Sequence, residues 1–241
     1  MSEDHTTLAD VAEGVDGALW MLSALVTPGL RHQRSIWGAT DEEAARAWPG
    51  DELVPEPRWG WHHAIEITAP ASAVWPWVVQ IGVERAGFYS YEALENLVGC
   101  HVHNAERIHP EWQELRVGDG LRLHPKMPPL PVQWVEPGRG FVVGVRVEAG
   151  TQRMIPSGEP LPREHLAASW LFAITPLGDE RSRFVSRYRI SYGDDLATRI
   201  SMGPTLVEPI GTVMDQRMLA GVRERAEGAL RAGRDARPSR G

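Results

Sequence analysis

One cysteine, Cys100, stands in 241 residues, so no disulfide can close within the chain and no covalent staple supports a small loop-rich fold. A run of about 20 apolar residues, the length a membrane-spanning helix needs, is also missing. The most apolar N-terminal stretch, Gly17 to Leu30 (GALWMLSALVTPGL), is shorter and is ended by Pro28-Gly29. Positive charge is not in surplus: 25 Lys and Arg against 32 Asp and Glu leave a net charge of −7. That is the wrong sign for a surface that must neutralise a phosphate backbone, so nucleic acid is not an expected partner. With few basic residues beside the apolar N-terminal stretch, a membrane surface is disfavoured as well. No positively charged segment leads into a cleavable apolar stretch at Met1 to Asp10, which makes a reducing cytoplasm the expected compartment. The GxSxG elbow, the P-loop and the kinase signatures do not occur, and no repeat of solenoid length is present.

What remains is an ordinary globular composition, 42% hydrophobic and 24% charged, able to bury a sizeable core. Residues 1–60 read as a helical arm followed by an extended, Pro- and Gly-rich connection (Trp48 to Trp61, WPGDELVPEPRWGW). Residues 61–232 read as one domain, and residues 233–241 as a polar tail. The domain opens with a strand at His63 to Thr68, in which His63, Ile65 and Ile67 share one face. Ser72 is the expected cap of a helix over AVWPWVVQIG, with Pro76 near its first turn, and Ser90 the expected cap of a second helix carrying Tyr91, Leu94, Leu97 and Val98 as its apolar stripe. From Gly118 the pattern alternates with period two through several strands. It ends in a long helix from near Thr205 to Ala232, with Leu206, Ile210, Val213, Met214, Met218, Val222 and Ala226 on one stripe. One strand, two short helices, an antiparallel meander and a long apolar-faced helix make an α+β plan, in which the sheet curves around that helix.

Six stretches in register carry a family resemblance: WGAT at Trp37, PGDELVPEP at Pro49, APASAVWPWVVQIG at Ala69, RAGFYSYEALEN at Arg85, LRVGDGLRL at Leu115 and MLAGVRERAE at Met218. The chain resembles SRPBCC proteins of the START-like, helix-grip superfamily, in the polyketide cyclase/dehydratase-like subgroup. The resemblance implies a curved antiparallel sheet wrapped around the C-terminal helix, a deep apolar cavity between them, and a small hydrophobic or aromatic, polyketide-like ligand. Two departures stand out. Arg85-Ala86-Gly87 replaces the usual Arg-Gly-Gly, and the arm before Arg34 matches no family motif.

Within that frame, an apolar strand face punctuated by polar groups suits a selective pocket, and Phe184, Ser186 and Tyr188 provide one. Trp134, Trp170, Phe172, Met214 and Met218 are the expected co-lining residues, although a closed core would use the same types. A cyclase or dehydratase is the alternative, with Tyr89 or Tyr91 polarising a carbonyl and Glu95 moving the proton. A third reading is an interaction protein whose arm joins copies into a homo-oligomer. No cofactor is expected. Cys100, His101, His103 and His109 are zinc-ligand types, but their spacing is wrong for a zinc finger and neither a second Cys pair nor HExxH occurs, so no metal is expected. His62, His63 and His165 stand isolated in the sequence.

Overall fold

The computed structural model describes residues 8–205 and 207–235. Leu206 of the predicted stripe and residues 236–241 of the predicted tail lie outside the described residues. Three helices form the arm: α1 (Leu8–Val26), α2 (Arg31–Ser35) and α3 (Asp41–Ala45), the last held by a Thr40/Glu43 capping box. Strand β1 (Trp59–Ile67) follows, then α4 (Ala71–Val78) and α5 (Glu92–Leu97). The meander comprises β2 (Gly120–Leu121), β3 (Leu130–Glu136), β4 (Gly140–Glu148), β5 (His165–Pro176) and β6 (Ser182–Tyr192). The chain closes with α6 (Leu196–Ser201) and the 29-residue α7 (Val207–Asp235). Residues 233–235, read as tail, are therefore the last part of a helix. The six strands form one antiparallel sheet in the order β1-β6-β5-β4-β3-β2.

Alternation decides which face each strand buries. Ile65, Ile67, Phe141, Val143, Phe172 and Phe184 turn inward onto Met218, Leu219 and Val222 of α7. Ala64, Val142, Leu171 and Val185 turn outward, where Trp48, Leu53 and Val54 of the connecting segment cover them. That cover is clipped to the sheet by guanidinium groups on the outward face of β6. Arg187 holds Asp51 through two hydrogen bonds of 2.7 and 3.1 Å, and Arg189 donates to the Val54 carbonyl at 2.9 Å. Arg183 binds both oxygens of Glu43 at 2.7 Å and the Gly38 carbonyl. Such forked pairs are the stronger kind, and they join residues 43–54 to the domain.

Two expected caps are not used. Helix α4 begins one residue before Ser72, after Pro70, and Tyr91 rather than Ser90 precedes α5, in both cases without a side-chain cap bond. The Ser90 hydroxyl instead donates to the Met214 carbonyl at 2.9 Å, tying the α5 junction to α7. The earlier start leaves Pro76 inside α4, past its first turn.

Candidate functional site

The face of β1 that carries Ile65 and Ile67 also carries His63, and the inward face of α7 carries Asp215 one turn before Met218. Burying these two polar groups leaves them only each other and their neighbours for hydrogen bonding. His63 Nδ1 lies 2.5 Å from Asp215 Oδ2, with the two side chains 0% and 1% exposed. The Ser186 hydroxyl donates to Asp215 Oδ1 at 2.5 Å and accepts from the Trp170 indole at 2.8 Å. On the other side His63 Nε2 lies 2.9 Å from the Arg34 carbonyl, which can only accept, so Nε2 carries a proton. One further proton lies between Nδ1 and the carboxyl. A continuous polar chain thus links β5, β6, α7, β1 and the arm. Stacked rings flank it: Tyr188 lies on Trp61 at 4.6 Å between centroids, and Trp61 lies parallel to His63 at 5.5 Å.

Arg34, at the end of this chain, also lines a cleft. The cleft has a volume of about 790 Å³ and runs between α1, α2 and one flank of α7, with β1 as its floor. From α7 it takes Thr212, Val213, Gln216, Arg217, Ala220 and Arg223, positions that share one helical face. The eleven steps from Thr212 to Arg223, at about 1.5 Å rise each, make that wall about 16 Å long. Trp20, Trp37, Ile65 and Tyr91 supply apolar surface. Gly17 lets α1 sit close to α5, because a Cβ there would come within 2.9 Å of the Tyr91 ring and of Leu94.

The residues expected to line a sheet-to-helix cavity divide. Phe172, Phe184 and Met218 are 0%, 0% and 1% exposed, which leaves no water-sized space beside them. They are packed core. Trp134 faces the opposite side of the sheet. A bulge between Val132 and Trp134 places Trp134 across from outward-facing Val142, where it packs against the outer cluster. Without the extra residue it would have shared the inward face of Val132. Met214 packs with Ala24, Tyr91 and Val213 on the flank of α7 nearest α1 and α5. Only Trp170, Ser186 and Tyr188 come together, around the His63–Asp215 pair, and the Tyr188 hydroxyl makes no hydrogen bond among the described residues.

The three expected acid–base residues are not brought to one cavity. Tyr91 lines the cleft, but the Tyr89 hydroxyl accepts from Gln80 Nε2 at 2.7 Å and donates to the Trp77 carbonyl at 3.2 Å, and burial pushes its acidity well down. Glu95 is 5% exposed, and burial, with the Glu92 carboxylate adding to it, raises its pKa to about 8. It does not line the cleft. His62 Nδ1 accepts from Arg187, and burial with that guanidinium lowers its pKa to about 4, so His62 is neutral. His103 pairs with Glu92 at the surface, and among the described residues no group of three or more His, Cys, Asp or Glu side chains is placed to hold a metal ion.

Asp215, Arg34, Thr212 and Arg223 were not among the expected site residues. A signal for Asp215 was present: it lies three and seven residues before Met218 and Val222, a carboxylate on the apolar stripe of a helix opposite a histidine on the apolar face of a strand. Arg34, Thr212 and Arg223 had no such signal, because their shared cleft depends on where the arm lies.

No family model matches the chain, and no curated protein matches it. Solved structures that resemble it include a hypothetical protein of Helicobacter pylori, at 13% identity over 76% of this chain and 96% of that one, with a TM-score of 0.43. A polyketide cyclase-like protein of Corynebacterium glutamicum matches at 14% identity over 72% and 94%, with a TM-score of 0.35. Norcoclaurine synthase of Thalictrum flavum, solved with dopamine and hydroxybenzaldehyde, matches at 15% identity over 77% and 94%, with a TM-score of 0.34. Scores of this size carry no argument about chemistry. By its own strand order and the seat of α7 against the inward face of the sheet, the chain has a helix-grip fold.

Proposed function

We propose that this protein binds a small, elongated, partly apolar molecule in the cleft between the N-terminal arm and α7. The observation that carries this reading is the cleft itself. Its volume of about 790 Å³ lies inside the range of ligand sites, roughly 300–1,000 Å³, and apolar walls from Trp20, Trp37, Ile65 and Val213 are punctuated by a few polar groups. Phe172, Phe184 and Met218, expected to line a space between sheet and helix, are packed core and offer it no surface. The binding place therefore moves to the outer flank of the helix. An acid–base enzyme built on Tyr89, Tyr91 and Glu95 is less well supported, since those groups do not share a cavity.

Titration with the neutral fluorescent probe N-phenyl-1-naphthylamine tests the reading. Binding in the micromolar range, about −8 kcal/mol, is expected for the wild-type protein. Ala220→Trp, which places an indole in the middle of the α7 wall, should weaken it at least tenfold while leaving the melting temperature within a few degrees. No saturable binding to the wild type, or equal binding to a folded Ala220→Trp variant, overturns the proposal.

A further inference from the structure

The cleft carries more positive charge than its surroundings account for. Its lining includes Arg34, Arg183, Arg217 and Arg223 but only one acid, Glu66, in a chain whose net charge is −7. Two of the four guanidinium groups are answered. Arg183 is held by Glu43, and Arg217 by Glu13 and Glu224 at 2.6 and 3.2 Å. Glu66 itself faces Arg181 at 3.4 Å, and the buried Glu208 on the turn of α7 before Thr212 is taken by Arg31. Among the described residues Arg34 and Arg223 have no carboxylate partner. Arg34 Nη1 is fixed by the Thr27 carbonyl and hydroxyl at 2.7 and 3.2 Å, while its Nε is buried without a partner. Arg223 makes no hydrogen bond or ion pair among the described residues and is partly buried.

A guanidinium drawn partly out of water without a counter-charge is unfavourable, and an anion placed beside it recovers that cost. The planar fork of arginine suits a carboxylate in particular. Resting on the reading of the cleft as a ligand site, we infer that its ligand is an amphipathic organic carboxylate. The acid group lies at Arg223, and the apolar body runs back along α7 toward Val213 and Trp37. Arg34, at the far end, adds to the positive field without being the primary contact.

Competition against bound N-phenyl-1-naphthylamine tests the inference, with decanoate, 1-decanol and decyltrimethylammonium as competitors of equal chain length. Decanoate should displace the probe at least tenfold more effectively than decanol, and the cationic analogue should be the weakest. Arg223→Gln should weaken decanoate at least tenfold more than it weakens the neutral probe, and an unchanged melting temperature establishes that the variant is folded. Arg223→Lys, keeping charge but losing the fork, should fall between. Equal displacement by decanoate and decanol, with the probe still bound, overturns the carboxylate while leaving the cleft as a ligand site. Failure of the probe to bind the wild type removes both.

Discussion

His63 Nδ1 and Asp215 Oδ2 meet at 2.5 Å in a place that water does not reach, so strand β1 and helix α7 are joined by a short buried hydrogen bond. Removing one partner strands the other. Asp215→Ala leaves His63 Nδ1 and the Ser186 hydroxyl without their hydrogen-bond partner, and the expected loss is about 3–5 kcal/mol by urea unfolding. Replacing both residues, as in His63→Leu with Asp215→Leu, should recover most of that loss. Additive damage in the double variant would mean that the pair is not one unit.

Glu95 gives the fold a pH dependence of unusual sign. Its folded pKa of about 8 stands above the ordinary carboxylate value of 4.5, with burial the larger cause and Glu92 the smaller. The folded state therefore keeps a proton that the unfolded chain releases between those two values, and stability falls as pH rises through that window. Glu95→Gln should match the wild type near pH 4 and exceed it near pH 9 by on the order of 2–5 kcal/mol. Parallel stability profiles for the two proteins across that range would place Glu95 in contact with water.

Gly221 sets how closely α7 approaches the loop before α5. A Cβ there would lie 2.2 Å from the Tyr89 carbonyl oxygen, in a loop where Tyr89 itself has a φ of 56° and its amide is held by Asn104 at 2.7 Å. Neither side can yield cheaply, so Gly221→Ala should cost about 1–3 kcal/mol or more. Gly228, two turns later, has nothing within 4 Å of such a Cβ, and Gly228→Ala should be neutral or stabilising by up to about 1 kcal/mol. Thermal melts of the two variants side by side decide it, and equal melting temperatures would contradict the close approach.

Periodicity made most of the architecture legible. The alternation at His63, Ile65 and Ile67 placed the inward face of β1 correctly, and the stripe through Val213, Met218 and Val222 gave the long helix within about three residues at its C-terminal end. Trp134 was misplaced because one extra residue in a strand reverses the face of a side chain, and nothing in VQWVE marks which residue bulges. The capping roles of Ser72 and Ser90 failed because neither helix starts at the residue after its serine: α4 starts after Pro70 and α5 after Tyr91. The site was legible only in part. Trp170, Ser186 and Tyr188 lie on inward strand faces and could be grouped from register, whereas the cleft joins Trp20, Ile65 and Ala220 across three elements far apart in sequence. No local pattern encodes that meeting.

The lateral margins of the sheet have a consequence for how the protein fails. At one margin β2 is only two residues long and offers little to an incoming chain. At the other, the nine-residue β1 is shielded because the Ala64 amide donates to the Trp37 carbonyl at 3.0 Å and α2 rests against the strand. Lifting the arm would bare that strand while the rest of the sheet still stood, offering a template for pairing with another molecule. Insolubility on heating should then begin with departure of the arm rather than with melting of the core, so that fastening α2 to β1 would prolong shelf life more than further packing of the interior.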